Sequence, residues 1–177
     1  MSLWDAADAA AARNTLGASS GRWPVSLGGT GAATAADART ALGVNTYYMS
    51  LSQTAGSAIN DGETRYLTEA ILTTAEGYAT RLYPMRAGTI TRVLIQTSCQ
   101  ALNGSNETAT VYMRKNATSD TTLSSSVQFN AQRSPYDVTG LNVAVASGDF
   151  FTFKVVFPTF ATNPSGVLMR VDMEITY

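Results

Sequence analysis

The sequence predicts a mainly β protein. A short alanine-rich helical segment, residues 1–45, is expected to precede an antiparallel β-sandwich of jelly-roll-like form, residues 46–177. Two observations lead to this prediction. The composition changes near residue 45, where a stretch rich in Ala, Gly, Thr and Asp gives way to strand-like runs separated by turn residues. Within those runs apolar residues recur at every second position, which is typical of half-buried strands.

The last segment of the chain shows this alternation most clearly. From Val167 to Tyr177 apolar residues alternate with charged or hydroxyl-bearing ones, and only Leu168 breaks the pattern. We therefore expect a strand with one face on a core and the other in water. Further strands are predicted at residues 46–53, 64–74, 77–83, 89–99, 109–114, 122–130, 141–145 and 151–157. About eight to ten short strands with no helical period indicate a sandwich or a jelly roll.

Turn residues separate these strands. Ser147 and Gly148 lie between two apolar stripes, so residues 140–157 are predicted to form a hairpin. Two further turns are indicated by dipeptides that favour them, Asp61-Gly62 and Asn103-Gly104.

An internal repeat occupies the N-terminal part. Residues 12–18 (ARNTLGA) match residues 38–44 (ARTALGV) at an offset of 26 positions, and an alanine-rich run precedes each copy. Alanine is the best helix former, and Gly17 and Gly43 stand where a helix would end in the left-handed conformation. The expected N-terminal caps are Thr34 with Asp37 and Asp5 with Asp8. Each repeat is therefore predicted to be a short helix of about 8–12 residues.

Helices of this size are marginal by themselves in water. The large apolar residue near the end of each one is a single leucine, Leu16 or Leu42, which cannot bury enough surface within one chain. Packing of identical copies around an axis would bury it, and alanines allow the backbones to approach closely. The repeat therefore favours an oligomer.

The turn between the repeats carries a more specific signal. Residues 27–32 (LGGTGA), followed by residues 35–43 (AADARTALG), resemble the tail-fibre repeat of bacteriophages. This resemblance implies a homotrimeric fibre in which residues 1–45 form a stalk. The residues expected to build the stalk and its trimer contacts are Leu16, Gly17, Gly28, Gly29, Thr30, Gly31, Arg39, Leu42 and Gly43. A glycine-rich turn can also cradle phosphate, but no Lys-Ser or Lys-Thr pair follows this one, so a structural turn is preferred.

The β part carries a second resemblance. Residues 87–90 (AGTI) and 145–150 (VASGDF) are similar to turns in the trimeric jelly rolls of complement and tumour-necrosis-factor-like domains and of phage fibre heads. The resemblance implies that the C-terminal strand, with its aromatic Tyr177, lies near a subunit interface.

The composition argues against several classes of function. Histidine is absent, which removes the commonest general base and metal ligand. The single cysteine, Cys99, ends an apolar run and is expected to be a small buried residue. The net charge is −1 with scattered Lys and Arg, and no run approaches the roughly 20 apolar residues of a membrane span. We therefore expect no cofactor, no metal, no nucleic-acid partner and no membrane insertion.

Each carboxylate that could serve a hydrolase has a structural interpretation. A polysaccharide depolymerase needs a pair of carboxylates, and the candidates are Asp61 with Glu63, Asp120, Asp137, Asp149, and Asp172 with Glu174. Asp61 and Asp149 are expected to cap turns. Asp172 and Glu174 are expected on the wet face of the last strand beside Arg170. We therefore predict no catalytic residue.

Polar loops are better candidates for contact with another molecule. They are predicted at residues 103–106, 116–120, 133–137 and 161–165. Asn and Asp can hydrogen-bond sugar hydroxyls, a loop Tyr offers a flat apolar face, and loops on a rigid scaffold often carry recognition. The residues expected to contact a receptor are Asn103, Asn106, Asn116, Asp120, Tyr136 and Asn163.

Together these features favour a non-enzymatic virion fibre or spike protein whose C-terminal part binds a host surface glycan or protein. Other tail or fibre proteins of the particle are further expected partners. The N-terminus lacks a signal-peptide pattern, so we expect synthesis in the host cytoplasm and a final location in the virion. The main alternative is a head or collar fibre, or a tail connector, without receptor binding. A polysaccharide depolymerase is the third and least favoured hypothesis.

Overall fold

The computed structural model describes residues 11, 30–54, 59–68, 71–100, 107–129 and 134–177. The chain forms two compact units, residues 1–47 with Tyr177 and residues 48–176. The larger unit contains two antiparallel sheets, so the predicted mainly β class is confirmed. Within the described ranges, no helix has the length and apolar character needed to cross a bilayer.

The first unit contains helix α1 (Ala35–Ala41), which has the predicted caps at both ends. Thr34 Oγ1 accepts a hydrogen bond from the Asp37 N–H at 3.1 Å. At the other end Gly43 has φ +67°, and the N–H groups of Gly43 and Val44 donate to the carbonyls of Thr40 and Arg39. This pair of bonds satisfies carbonyls that the helix leaves open. Residues 1–10 and 12–29, which include the whole first copy of the repeat (residues 12–18), lie outside the described residues, and Ala11 is helical.

The described strands follow in chain order. They are β1 (Thr46–Thr54), β2 (Thr64–Leu67), β3 (Leu72–Thr73), β4 (Gly88–Ser98), β5 (Ala109–Lys115), β6 (Ser119–Val127), β7 (Ser134–Val145), β8 (Phe151–Val156) and β9 (Leu168–Thr176). The first sheet has the order β1-β9-β4-β7, and the second has the order β3-β2-β8-β5-β6. This two-sheet arrangement is consistent with the predicted sandwich.

The core is built from the inner faces of the central strands. In β9 the predicted alternation is confirmed, because Met169, Val171, Met173 and Ile175 are at most 1% exposed while the residues between them are half-buried. Phe151, Phe153 and Val155 of β8 are fully buried as well. Such a core stabilises the fold by about 1.5–3 kcal/mol for each large apolar side chain removed from water. Cys99 is buried as predicted, and its thiol donates to the Phe129 carbonyl at 3.2 Å.

The predicted hairpin over residues 140–157 is wrong. A turn does form at Ser147 and Gly148, where Gly148 has φ +88°. However, β7 belongs to the first sheet and β8 to the second, so the chain crosses between sheets at this turn. Two consecutive strands with the same alternation can pair with each other in one sheet, or they can lie in two sheets that face a shared core. The local sequence pattern is the same in both cases.

Several predicted strand boundaries also need correction. Residues 64–74 form two short strands, β2 and β3, which pair around a turn where the Thr68 N–H donates to the Ile71 carbonyl at 3.1 Å. Residues 77–83 are not a strand, because Tyr78–Thr80 form a 3-10 helix and only Leu82 makes a β-bridge, to Phe151. Strand β6 begins at Ser119, three residues before the predicted 122–130, because the turn preceding it is tight. Strand β7 begins at Ser134, inside a predicted loop.

The connections between the strands define two ends of the larger unit. At the turn end, the turns 116–118 and 146–150 lie together, because Lys115 pairs with Phe151 and Gly88 pairs with Val145. At the opposite end, called the loop end, β4, β6 and β8 finish, and the connection 157–167 begins there. Among the described contact candidates, Asn116 lies at the turn end and Asn163 at the loop end.

Candidate functional site

The apolar residues at the end of helix α1 remain exposed. No residue of Ala35–Ala41 is buried, and Leu42 and Val44 are 61% and 53% exposed. In the part of the chain that the structure describes, the helix therefore buries none of its side chains. A leucine left in water forgoes roughly 1.5–3 kcal/mol that burial against a partner would provide.

Other predicted stalk residues lie in the turn before the helix or outside the described part of the chain. Thr30 Oγ1 accepts a hydrogen bond from the Ala32 N–H at 3.3 Å, and Gly31 has φ +65°. At these two positions the turn contains a local hydrogen bond and a glycine in the left-handed conformation. Leu16, Gly17, Gly28 and Gly29 lie outside the described residues.

Arg39 and Tyr177 contact each other within the first unit. The guanidinium carbon of Arg39 lies 5.5 Å from the centroid of the Tyr177 ring, a cation–π contact. The Tyr177 hydroxyl donates to the Val44 carbonyl at 3.1 Å, and its ring lies 5.8 Å from that of Tyr47. Arg39, predicted as a stalk residue, is thus oriented by an aromatic ring of its own chain.

Asn116 is a structural residue of the turn end. Its Nδ2 donates to Asp149 Oδ1 at 2.7 Å, and its Oδ1 accepts from the Phe150 N–H at 3.0 Å. Asp149 Oδ2 accepts from Lys115 Nζ and from the Ala146 N–H, each at 2.7 Å. The hydrogen bond from Lys115, with those from Ala146 and Asn116, lowers the pKa of Asp149 to about 2. Asn116 therefore links the two turns, and its side-chain amide is already bound to Asp149 and Phe150.

Asp120 was predicted in a loop but lies in β6, on the outer face of the second sheet. It pairs with Arg114 Nε at 3.0 Å and with Lys154 Nζ. Lys154 in turn lies over the Tyr112 ring, 4.3 Å from its centroid, and Arg114 also pairs with Glu76 at 3.0 Å. The carboxylate is thus part of a cross-strand charge network. Its partners lie on neighbouring strands and on the same face of the sheet, since Arg114 is directly opposite Asp120.

Two further predicted contact residues, Asn163 and Tyr136, lie toward the loop end. Asn163 is exposed, and its Nδ2 donates to the Ile59 carbonyl at 2.8 Å. Tyr136 lies in β7 rather than in a loop, and its hydroxyl accepts from the Gln128 N–H at 2.6 Å. Asn103 and Asn106 lie outside the described residues. The structure therefore does not bring the described candidates into one site.

A groove of about 90 Å³ lies on the outer face of the first sheet and is lined by Tyr48, Arg92, Leu94, Asp172 and Glu174. Tyr48 is 66% exposed, which would suit a ligand. The polar groups of the groove, however, already bind one another. Arg92 forms a two-bond pair with Asp137 at 2.7 Å for each bond, which lowers the pKa of Asp137. Glu174 accepts a hydrogen bond from Tyr48, and Asp172 accepts one from Arg170. Most polar groups of this face are therefore already bound to other groups of the protein.

Sequence analysis missed an aromatic group at the turn end. The Arg81 guanidinium lies between two rings, 4.5 Å from the Tyr78 centroid and 4.3 Å from that of Phe150. Tyr83 approaches Phe150 at 5.8 Å. We call Tyr78, Arg81, Tyr83 and Phe150 the aromatic platform. Tyr78 and Arg81 are three positions apart in a segment bounded by Gly77 and Pro84. This spacing is compatible with a helical turn, whereas the composition of residues 77–83 predicts a strand.

The platform is exposed and held in place by its surroundings. Tyr78 is 84% and Tyr83 53% exposed. Below them, the buried Thr80 hydroxyl donates to the Gly77 carbonyl at 2.7 Å and closes the 3-10 turn. Leu82 exchanges two backbone hydrogen bonds of 2.8 Å with Phe151. The rings therefore project from a fixed backbone.

Comparisons with known proteins add little to this description. No protein-family model matches the chain, and no curated protein matches it. Among solved structures, it is similar to a crystal structure of FLHE, with a TM-score of 0.41 and 12% sequence identity over 75% of this chain and 99% of that chain. A likeness at this level does not support an argument about function.

Proposed function

We propose that this chain is a bacteriophage fibre protein that assembles as a homotrimer through its N-terminal repeats. Its jelly-roll-like β domain contacts a glycan on the host surface. In this proposal the protein is made in the host cytoplasm, joins other tail or fibre proteins and acts in the virion without catalysing a reaction.

The observation that carries the proposal is the exposed end of helix α1. A seven-residue helix is marginal in water, and Leu42 beside it is 61% exposed. Identical copies arranged around an axis would bury Leu42 and Val44 from each chain. The resemblance of residues 27–43 to a fibre repeat supports three copies rather than two.

The carboxylates of the larger unit favour binding over hydrolysis. A glycosidase keeps one carboxyl group free to protonate a leaving group and a second to act as base or nucleophile. Here Asp137, Asp149 and Asp172 are engaged by Arg92, Lys115 and Arg170. Asp120 is engaged by Arg114 and Lys154. These ion pairs stabilise strands and turns, which supports a binding role for the domain.

Light scattering on the full chain tests the assembly. The expected mass is about 56 kDa, three times the 18.7 kDa chain. Leu42→Glu should reduce the mass toward that of a single chain, because it places a charge in the proposed contact. Ile71→Glu is the matched control, since Ile71 is also an exposed aliphatic residue, 53% against 61% for Leu42. It should leave the trimer intact. A single-chain mass for the unmodified protein would overturn the fibre proposal.

An array of bacterial capsular and lipopolysaccharide glycans, probed with the labelled trimer, tests receptor binding. We expect retention on at least one polysaccharide without release of reducing ends. A trimer that binds none of them would contradict the receptor role and favour a purely structural fibre. Release of reducing ends would favour the depolymerase instead.

A further inference from the structure

We infer that the aromatic platform binds a saccharide that carries a carboxylate, such as a uronic or sialic acid unit. This inference rests on the proposed function, because it names the site and the ligand class through which the domain would contact a glycan. It differs from the sequence-based expectation, which placed contact in the polar loops.

The charge of Arg81 is the first reason. Six other cations of the larger unit form ion pairs with carboxylates, namely Arg65, Arg92, Arg114, Lys115, Lys154 and Arg170. Arg81 forms no ion pair with any residue that the structure describes, and its Nε is enclosed without a hydrogen-bond partner there. The terminal N–H groups of this guanidinium, which are not enclosed, are therefore the donors that can bind a carboxylate.

The geometry of the two rings is the second reason. Contacts of 4.5 and 4.3 Å between the guanidinium carbon and the ring centroids of Tyr78 and Phe150 restrict the motion of the Arg81 side chain. An arginine restricted in this way loses less conformational entropy when its terminal N–H groups form hydrogen bonds with a carboxylate.

The exposed aromatic surface supplies the saccharide half of the site. One face of Tyr78 meets Arg81, and an exposure of 84% leaves the other face open to solvent. The C–H groups on the flat side of a pyranose ring pack against such a face, and the phenol hydroxyl can hydrogen-bond a sugar hydroxyl. Met85, 80% exposed and close in sequence, adds adaptable apolar surface.

The groove at Tyr48 also combines an arginine with a tyrosine, as the aromatic platform does, but its polar groups are already paired with one another. There Arg92 is already bound to Asp137 through its Nε and Nη2 atoms. The Tyr48 hydroxyl already donates a hydrogen bond to Glu174. A carboxylate ligand would have to displace an internal carboxylate at that groove. At the platform no carboxylate of the described residues is bound to Arg81, so an acidic saccharide would displace none of them there.

The test uses the full-length trimer on an array that holds uronic-acid-containing, sialic-acid-containing and neutral bacterial polysaccharides. We expect binding to acidic members, and loss of binding when the bound polysaccharide is carboxyl-reduced, which removes the charge and keeps the ring. Arg81→Gln should weaken binding at least tenfold, because a hydrogen bond to a charged group is lost. Arg81→Lys should give an intermediate loss, and Tyr78→Ala should weaken binding without affecting the fold.

Matched controls are Arg92→Gln and Tyr48→Ala, which alter a paired arginine and an exposed tyrosine of the other sheet and should leave binding unchanged. Binding to neutral polysaccharides only, or acidic binding that survives Arg81→Gln and Tyr78→Ala, would overturn this inference while leaving the proposed function intact. A loss of trimer mass in Tyr78→Ala would show that the platform is a subunit contact and would equally overturn it. Absence of binding to every polysaccharide would instead count against the proposed receptor role.

Discussion

Asn116 Nδ2 donates a 2.7 Å hydrogen bond to Asp149 Oδ1, and this contact links the turn between β5 and β6 to the turn between β7 and β8. The two residues are 33 positions apart. Asn116 follows a strand of the second sheet, and Asp149 lies in the turn where the chain crosses from the first sheet to the second. The hydrogen bond therefore ties this crossing turn to the second sheet.

The pH dependence of stability should reveal the role of Asp149. Its folded-state pKa is lowered to about 2 from the usual 3.8 by Lys115, Ala146 and Asn116. Because the folded pKa is depressed, the stabilisation is fully present above about pH 4 and is lost as the pH falls toward 2. Asp149→Asn should therefore melt at a lower temperature than the unmodified protein at pH 7, with the difference shrinking between pH 4 and pH 2.

Thermal melts followed by circular dichroism at several pH values provide the measurement. Ser147→Ala in the same turn keeps the carboxylate and should retain the unmodified pH profile. A melting difference for Asp149→Asn that is constant from pH 7 to pH 2 would argue against the assigned role.

A second prediction concerns Ala117. Both Asn116 and Ala117 have positive φ, 52° and 57°, in the tight turn before β6. Asn tolerates this conformation, but Ala is strained in it, whereas Gly is not. Ala117→Gly should therefore raise the free energy of unfolding by about 1 kcal/mol in denaturant titration. Ala144→Gly in β7 is the control and should lower it, since glycine weakens a strand. Destabilisation by both changes would show that the turn is not strained.

A third prediction concerns the close approach of β4 and β9. A Cβ built on Gly88 would lie 2.4 Å from the backbone oxygen of Thr176, and backbone cannot move away as a flexible side chain can. Gly88→Ala should therefore destabilise the domain by about 2 kcal/mol. Gly77→Ala is the control, because nothing lies within 4 Å of the added carbon there. Equal unfolding midpoints in urea for Gly88→Ala and the unmodified chain would contradict the close contact.

Much of the fold could be predicted because its signals are local. The alternation in β9 identified both the strand and the face that meets the core. Thr34, Asp37 and Gly43 marked the ends of α1, since a cap involves only residues within one turn. The same locality explains the errors. Residues 77–83 have strand-like composition, but the hydrogen bonds between Leu82 and Phe151 leave only one bridge there.

The sequence by itself determined that this is a mainly β chain with a short capped helix and a repeat that resembles a phage fibre, because periodicity, caps and motifs are properties of neighbouring residues. Only the tertiary structure decided that β7 and β8 enter different sheets, that Asn116 meets Asp149, and that Arg81 contacts two rings and no carboxylate of the described residues, whereas Arg65, Arg92, Arg114 and Arg170 form ion pairs. These facts depend on which distant residues come together. The packing of two sheets on a shared core determines these long-range contacts, and the pattern of neighbouring residues does not predict them.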